Sequence, residues 1–367
     1  MKDLGLYIHI PFCDGKCHYC DFFSQCGDEI EFDTYTDRLI KKLKYCKNKY
    51  KSYNIKTVYF GGGTPTAIGT ERLIKILNSV FENFSVKKDA EITVEMNPVF
   101  NNEIDYKKLR NSGFNRLSIG LQSANDNELK ILGRRHKSMD VKNTVTNARN
   151  AGFDNISLDL MLCIPNQTFK SLVSSIDFCF GLDVEHISVY ILKIEENTKF
   201  YSIKDKLNLF NDEQQAQMYE LAVNTLEKYG YQQYEISNFC KSGYESKHNL
   251  IYWRDEEYLG IGPSAHSFIN GKRFYYGRSF EDFYSDKIIF ESDGGDIEEY
   301  IMLALRLKEG LIFEKFQNRF KKPVSDKLID RAKKLEEKGY LNITDNNISL
   351  TTKGFLLSNS VISYLIY

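Results

Sequence analysis

The sequence lacks three things: an excess of charge, an apolar run of membrane length and a recognisable secretion signal. Its 49 Lys and Arg residues nearly balance 50 Asp and Glu residues, which leaves a formal net charge of −1. This balance argues against general binding to nucleic acids or to anionic membrane surfaces. No stretch reaches the roughly 18 apolar residues of a membrane span, and the first residues, MKDLGLYIHIP, contain no small-residue cleavage site. We therefore expect a cytoplasmic protein without a transmembrane segment and without a nucleic-acid partner.

A second pair of closely spaced cysteines is also missing. The chain has eight cysteines, but in a large chain without a signal peptide, clustered cysteines indicate metal binding or catalysis more often than disulfides. Three of them, Cys13, Cys17 and Cys20, lie within FCDGKCHYCDF at 12–22. The other five are scattered, and we expect them to be small buried hydrophobic residues: Cys26, Cys46, Cys163, Cys179 and Cys240.

Three thiolates on one short loop predict a metal centre but leave its fourth ligand open. Structural zinc takes four closed protein ligands, usually as two spaced pairs, so here a distant histidine would have to complete the site. In a cubane [4Fe–4S] cluster each iron needs one outside ligand, and three cysteines leave one iron free for a small molecule. The methionine end of S-adenosylmethionine, with its amine and carboxylate, could chelate that iron. An electron from the cluster, supplied by an electron donor, could then cleave the sulfonium C–S bond.

The first 200 residues repeat a pattern of a β-rich run followed by a helical segment. The β-rich runs are LYIHI (6–10), TVYF (57–60), EITVEM (91–96), RLSIGL (116–121), NISLDLML (155–162) and HISVYIL (186–192). Asp33 and Thr70 lie where helix N-caps are expected, and Gly152 lies where a helix would stop. Strands that alternate with helices indicate a parallel sheet with right-handed crossovers. The fold class is therefore α/β, a partial (β/α)6 barrel similar to a TIM barrel.

Polar or glycine-rich residues lie towards the carboxyl end of each of these runs or directly after it, at the barrel end where chemistry is expected. In chain order they are the cysteine loop, GGGTP (61–65), Glu95 with Asn97 and Pro98, Gln122, Asp159 and Tyr190. The glycines could bring backbone groups close to the methionine ammonium, and Glu95 could accept a hydrogen bond from it. Arg134 could pair with the carboxylate, while Gln122 and Asp159 could accept from ribose hydroxyls.

After about residue 210, the sequence pattern changes twice. Residues 212–230 form an amphipathic helical pattern, and a stretch rich in aromatic residues and glycine continues to about Tyr284. Three short helical patterns and a hairpin, LNITDNNISLT, then predict a winged-helix-like module. Residues 301–367 contain 12 Lys or Arg and 7 Asp or Glu, so this segment is mildly basic. Because winged helices also serve as protein-packing modules, this charge does not by itself indicate DNA binding. We predict three segments: the barrel at 1–210, a barrel extension at 211–290 and the C-terminal domain at 291–367.

CxxxCxxC with an aromatic residue, Tyr19, before the last cysteine is the signature of radical S-adenosylmethionine enzymes. LYIHIPFC, YFGGGTPT, NRLSIGLQS and SLDLMLCIP further resemble the oxygen-independent coproporphyrinogen III oxidase group, over nearly the whole chain. The resemblance implies that Cys13, Cys17 and Cys20 ligate a [4Fe–4S] cluster. It also implies contacts to S-adenosylmethionine, one or two molecules of it, from Tyr7, Gly62, Gly63, Thr64, Glu95, Gln122, Arg134 and Asp159.

Two branches of that group compete. The true oxidase carries a further cysteine two places after the third cluster cysteine, where this chain has Phe22, and an N-terminal extension that we do not expect here. The HemW-type haem chaperones carry HNxxYW, which in this chain is HNLIYW: His248, Asn249, Tyr252 and Trp253, the last being the only tryptophan. Histidine can ligate haem iron, and flat aromatic rings can stack on a porphyrin.

The resemblance thus predicts a protein that binds haem and delivers it to haem-accepting proteins. The alternative is a radical enzyme that decarboxylates coproporphyrinogen III or acts on another tetrapyrrole, and the third class is a zinc or cluster-free interaction protein. His9 shares one side of the first strand with Tyr7, and GIGPSAHSF (260–268) is expected to shape the substrate-side wall. The sequence leaves open the haem acceptor, the axial ligand, cleavage of S-adenosylmethionine and the oligomeric state.

Overall fold

Six parallel strands form the arc of a partial barrel. The computed structural model describes residues 1–98 and 103–367. The strands pair in chain order, and their bounds are β1 Lys2–Ile10, β2 Tyr53–Gly62, β3 Ser85–Met96, β4 Arg116–Gln122, β5 Ile156–Leu162 and β6 His186–Ile191. This order confirms the predicted α/β class and the partial barrel, because each crossover returns the chain parallel to the preceding strand.

Helices connect these strands and cover the outer face of the arc. They are α1 Glu29–Lys49, α2 Thr70–Asn83, α3 Tyr106–Ser112, α4 Asp126–Ile131, α5 Ser138–Asn150 and α6 Phe169–Gly181. The prediction of Asp33 as an N-cap is wrong, because Asp28 caps α1 and forms a capping box with Glu31. Gly69 rather than Thr70 is the cap of α2. Gly152 does follow the end of α5, with a φ of 91°.

The sheet extends beyond the predicted six strands at both edges. Further along the chain lie α7 Lys199–Ser202, α8 Asp212–Lys228, β7 Gln232–Gln233, β8 Asn238–Cys240, α9 Lys247–Trp253, β9 Tyr258–Ile261, β10 His266–Ile269, β11 Lys272–Tyr276, α10 Phe280–Tyr284 and β12 Ile288–Asp293. Within the described residues, twelve strands form one sheet in the order β12-β11-β10-β9-β1-β2-β3-β4-β5-β6-β8-β7. The segment predicted as an extension thus contributes to both edges, and its boundaries at 210 and 290 stay a prediction.

The C-terminal residues form the predicted winged-helix-like arrangement. Its elements are α11 Ile297–Ala304, β13 Leu311–Ile312, α12 Phe313–Phe320, α13 Asp326–Glu336, β14 Leu341–Ile343 and β15 Asn347–Leu350, followed by α14 Thr352–Leu356 and α15 Ser358–Ile366. The hairpin of β14 and β15 takes β13 as a third antiparallel strand, which sequence patterning missed. Across the described parts of the chain, no helix combines the length and the apolar character needed to cross a bilayer.

The inner face of the arc is polar, whereas its outer face is apolar. Side chains alternate along a strand, so Leu4, Leu6 and Ile8 of β1 belong to the hydrophobic core, while Tyr7 and His9 contact each other on the opposite face. Other polar residues of β2 to β6 follow the same alternation: Thr57, Tyr59, Glu91, Thr93, Glu95, Arg116, Ser118, Ser157, Asp159, His186 and Ser188. TIM-like barrels usually fill this space with branched apolar side chains.

Four of the five scattered cysteines are buried, as predicted. They are Cys46, Cys163, Cys179 and Cys240, and burial raises the pKa of each thiol. The prediction is wrong for Cys26, which is exposed because it lies in the irregular loop before α1. This difference makes Cys26 a useful control residue near the cysteine loop.

Asp255 is a buried charge that joins the C-terminal domain to the sheet extension. Its side chain is fully buried and pairs with Arg273 of β11 and Arg319 of α12. We expect Asp255→Ala to lower the free energy of unfolding by about 3 kcal/mol, because it leaves the Arg319 guanidinium without its counter-charge, while Arg273 keeps only its pair with Glu299. The exposed pair of Asp330 and Lys333 provides the control, and Asp330→Ala should cost less than about 1 kcal/mol. Denaturant unfolding measures both, and equal losses would contradict the role given to Asp255.

Candidate functional site

The three cysteines of the N-terminal loop line one cavity at the carboxyl ends of the barrel strands. This inner cavity, defined by Cys13, Cys17 and Cys20, has a volume of about 160 Å³. Seven of the eight residues predicted to contact S-adenosylmethionine line it as well: Gly62, Gly63, Thr64, Glu95, Gln122, Arg134 and Asp159. Residues from five parts of the chain therefore meet around the thiols, because parallel strands end at the same edge of the sheet.

The polar groups around the thiols fit a cluster held by three cysteines. Arg134 donates to Sγ of Cys17 over 3.7 Å, and Sγ of Cys13 lies 3.4 Å from Oγ1 of Thr64. Burial raises the pKa of Cys13 and Cys20, so metal binding would have to displace their protons. Among the described residues, no three His, Cys, Asp or Glu side chains converge closely enough to hold a single metal ion. A cubane cluster does not need such convergence, because each of its irons takes its own outside ligand.

The glycines of GGGTP are required by close packing against the cysteine loop. The amide groups of Gly63 and Thr64 donate to the carbonyls of Ile10 and Phe12. A Cβ atom on Gly63 would lie 2.6 Å from the Phe12 carbonyl oxygen, and one on Gly62 would lie 2.5 Å from the His9 ring. These distances are too short for any side chain. Contact of this segment with a methionine ammonium stays a prediction.

Glu95 is the buried carboxylate at the centre of the site. Tyr59 donates to its Oε1 over 2.8 Å, and the amide of Gly62 donates to Oε2 over 3.3 Å. Burial raises the pKa of Glu95 to about 7, with the nearby charge of Asp159 adding to the effect. Burial likewise raises the pKa of Asp159 to about 6. Both carboxyl groups would be stabilised in their charged form by a cation placed in the inner cavity.

Two further predicted residues, Gln122 and Arg134, already have hydrogen-bond partners in the inner cavity. Gln122 has a φ of 68° and accepts a 2.6 Å hydrogen bond from the hydroxyl of Tyr190. Arg134 donates to the carbonyl of Gly120 as well as to Cys17, while its buried Nε has no partner among the described residues. Since a buried donor without a partner is costly, this guanidinium is suited to an additional anionic ligand.

Tyr7 differs from the other predicted residues because it faces a second, larger space. This outer pocket has a volume of about 770 Å³, and its lining includes Tyr7, His9, Tyr252, Tyr258 and His266. Phe22, Gly62 and Glu95 line both spaces, so the outer pocket adjoins the inner cavity. Its volume falls in the range of small-molecule sites, and its wall is rich in aromatic rings. His9 lies here, close to the cysteine loop as expected, and burial lowers its pKa to about 4.

The HNLIYW segment forms α9, which is bonded to the inner face of the barrel. The amides of Lys247 and His248 donate to the carboxylate of Glu91. The ring of His248 is buried; Nδ1 lies 2.7 Å from Oγ1 of Thr57 and Nε2 lies 2.8 Å from the hydroxyl of Tyr252. Burial lowers the pKa of His248 to about 3, so the ring is neutral. Both nitrogens that could ligate a metal are therefore already hydrogen-bonded.

Only one of the four predicted haem residues lines the outer pocket. Tyr252 does so, with its ring edge-on to Tyr258 at 4.6 Å. His248 lies behind Tyr252, and neither Asn249 nor Trp253, both partly buried, is among the residues that line the two spaces. The structure thus brings the cluster and S-adenosylmethionine candidates together and separates three members of HNLIYW from the pocket.

Sequence patterning did not identify several residues that shape the site. Glu91, Thr57 and Tyr59 hold α9, and alternation of polar residues within β2 and β3 was the signal that could have found them. His266, Tyr275 and Glu291 line the outer pocket from three different strands. GIGPSAHSF was expected to shape this wall, and Ser264 and His266 of that segment do line it.

Comparison with known proteins gives matches at both ends of the chain. Residues 7–179 match the model of the Radical SAM superfamily, and residues 296–357 match that of the HemN C-terminal domain. The heme chaperone HemW of Bacillus subtilis is 38% identical, with 97% of each chain covered. HemW of Lactococcus lactis is 34% identical, with 98% of this chain and 96% of the relative covered.

A solved structure is similar over the whole fold. Coproporphyrinogen III oxidase (HemN) from Escherichia coli superposes with a TM-score of 0.84 over 100% of this chain and 90% of its own, at 22% identity. This likeness establishes the fold, including the C-terminal domain, while the sequence relationships above establish descent. The chain belongs to the Radical SAM superfamily and, within it, to the family of the HemW heme chaperones.

Proposed function

We propose that this protein binds haem in the outer pocket and delivers it to haem-requiring proteins. The observation that carries the proposal is the aromatic pocket of about 770 Å³, which adjoins the cysteine cavity and includes Tyr252 of HNLIYW in its wall. Relatives matched over nearly their full length carry the name heme chaperone, which supports the same cargo here. A pocket of this size can bury most of a flat macrocycle.

Membership of the Radical SAM superfamily implies a [4Fe–4S] cluster and S-adenosylmethionine as cofactors. We propose Cys13, Cys17 and Cys20 as the cluster ligands. When bound, the cluster supplies a one-electron reductant beside the sulfonium group. We assign to Glu95 a hydrogen bond from the ammonium group, and to Arg134, whose Nε has no partner among the described residues, an ion pair with the carboxylate. We assign ribose contacts to Gln122 and Asp159, and a contact from the outer-pocket side to Tyr7.

The segment 211–290 is proposed as the haem-handling part of the chain. It supplies Tyr252, Tyr258, His266 and Tyr275 to the outer pocket, and β1 and the cysteine loop supply further lining residues. Within HNLIYW, Tyr252 would contact the macrocycle, and His248 would hold the Tyr252 hydroxyl from behind. Asn249 and Trp253 would act by fixing the position of α9.

The partners proposed are haem, haem-accepting proteins and an electron donor for the cluster. Free thiols beside a cluster site suit a reducing compartment such as the cytoplasm. Phe22 replaces the extra cysteine of the oxidase branch and lines both the inner cavity and the outer pocket. This residue favours the chaperone over the decarboxylase.

Replacing a cluster cysteine should abolish cluster assembly. We expect the anaerobically reconstituted protein to hold about four irons per chain and Cys17→Ser to hold almost none, since one iron loses its thiolate. Cys26→Ser is the matched control, because Cys26 lies in the same stretch of chain but is exposed and outside the cavity. Iron and sulfide analysis with EPR measures all three proteins. A full cluster in Cys17→Ser would contradict the ligand assignment.

Binding of S-adenosylmethionine should tighten as pH rises. The pKa of Glu95 is raised to about 7 by burial, so this group is neutral below that pH and becomes a carboxylate, able to attract an ammonium, above it. Between about pH 6 and pH 8 its ionised fraction increases roughly tenfold, which sets the expected gain in affinity. Anaerobic calorimetry measures the change. Glu95→Gln should make the affinity for S-adenosylmethionine independent of pH over this range. Glu71→Gln, in an exposed ion pair, should leave the pH dependence as it is. A pH dependence that Glu95→Gln does not change would contradict the role of Glu95.

Haem binding should depend on Tyr252. We expect Tyr252→Ala to weaken haemin affinity about tenfold, which corresponds to about 1.4 kcal/mol of lost ring contact. Lys272→Ala, exposed on β11 and outside the pocket, should bind like the unaltered protein.

Bound haem should also pass to an apo-haem protein such as apomyoglobin. The same protein, incubated with coproporphyrinogen III, S-adenosylmethionine and a reductant, should form no protoporphyrinogen; efficient conversion would instead support the oxidase.

A further inference from the structure

Three histidines lie in or directly behind the wall of the outer pocket, and they differ in the state of their ring nitrogens. His9 has Nδ1 at 3.1 Å from the Tyr7 hydroxyl and Nε2 at 3.0 Å from the Phe23 carbonyl. His248 is bonded through both nitrogens to Thr57 and Tyr252. Neither ring can present a lone pair to a metal without losing a buried hydrogen bond, which is costly.

His266 is different, because only one of its nitrogens is engaged. Its Nδ1 lies 3.3 Å from Oε2 of Glu291, and its side chain is about half exposed, at 50%. The imidazole is stacked on the ring of Tyr275, with centroids 4.7 Å apart and planes 19° from parallel. Within the part of the chain that the structure describes, Nε2 has no hydrogen-bond partner. His266 therefore presents one ring nitrogen for a ligand in the pocket.

The strand register of the sheet extension produces this arrangement. His266 of β10 pairs directly with Tyr275 of β11, which brings the two rings together. On β12, Phe290 and Ser292 pair with consecutive residues of β11, so Glu291 between them has no opposite residue and forms a bulge. A bulge changes the direction of the side chain it carries. Here the carboxylate of Glu291 on β12 contacts His266 on β10, with β11 between the two strands.

The contact with Glu291 determines which ring nitrogen of neutral His266 carries the proton. A carboxylate only accepts hydrogen bonds, so Nδ1 carries the proton and Nε2 carries the lone pair. Metal-ligating histidines commonly donate their other nitrogen to a carboxylate, which fixes the tautomer and orientation of the ring and raises its basicity. Neutral imidazole is also the common axial ligand of haem iron. His266 thus has the features of a ligand that is oriented in advance.

The rest of the pocket suits a macrocycle that bears carboxylates. Phe22, Tyr252 and Tyr258 contribute aromatic surface to the lining of the pocket. Arg278 at the rim is 58% exposed and pairs with Asp21 over 3.0 Å. An exposed pair of this kind is weak, so a propionate could exchange with Asp21 and pair with the guanidinium.

We propose that His266 is the axial ligand of the haem iron, through Nε2, and that Glu291 is the positioning residue that orients it. This inference rests on the proposed function, because it specifies how haem would be held in the outer pocket. The proposed iron ligand therefore lies on the antiparallel extension of the sheet and not in HNLIYW on α9. Arg278 is assigned the haem propionate contact.

The test uses anaerobically reconstituted full-length protein titrated with haemin. Because the cluster and haem absorb in overlapping regions, ligation is followed by magnetic circular dichroism and EPR of the haem iron. We expect His266→Ala to lose the histidine-ligated signal and to bind haemin at least about tenfold more weakly, since removal of a supporting partner alone costs roughly 10- to 100-fold in metal affinity. Added imidazole should restore the signal in His266→Ala. Glu291→Gln should keep the ligand but shift the spectrum.

Two control variants separate ligation from general damage. Lys272→Ala lies on the same sheet extension outside the pocket and should match the unaltered protein. His248→Ala should retain the histidine-ligated signal, even if its affinity falls through displacement of Tyr252. If folded His266→Ala keeps the native haem signal and affinity while the signal disappears in His248→Ala, the assignment of His266 is overturned and haem binding stands. If the unaltered protein binds no haemin, the proposed function fails as well.

Discussion

The structure depends on one constraint: polar side chains that fill the inside of the barrel must find hydrogen-bond partners there. Burial of an unpaired polar group is costly, and β2 and β3 turn Thr57, Tyr59 and Glu91 toward this interior. Helix α9 satisfies two of them, because its first amides donate to Glu91 and its histidine contacts Thr57, whereas Tyr59 donates to Glu95. The helix is thereby fixed to the barrel, and Tyr252 at its far end is held in the wall of the outer pocket.

The inner cavity and the outer pocket are physically joined. Phe22, Gly62 and Glu95 line both, so a ligand in one space lies against side chains that also border the other. Glycine at 62 permits this proximity, since a Cβ there would collide with His9. The arrangement provides a direct structural link between the proposed cofactor site and the proposed haem pocket.

Under the proposed function, only Tyr252 of the HNLIYW segment would touch the ligand, and the other members would act by positioning it. Chemical type alone suggested that His248 could ligate iron. In the folded chain its two ring nitrogens are bonded, and stacking on Tyr59 at 5.0 Å fixes the ring further. The same chemistry is available at His266, where one nitrogen is free and the other meets a carboxylate. Exposure and hydrogen bonding, rather than residue type, distinguish the two imidazoles.

The sequence by itself determined the parallel arc, the cysteine loop and the polar strand ends. These depend on local periodicity and on the rule that parallel strands end at one edge, and that rule was enough to bring Glu95, Gln122 and Asp159 together with the cysteines. Only the tertiary structure decided that β9 pairs with β1 and that a bulge on β12 turns Glu291 toward His266. Strand partners far apart in the chain are chosen by packing and register, and a shift of one residue would reverse the face of every side chain.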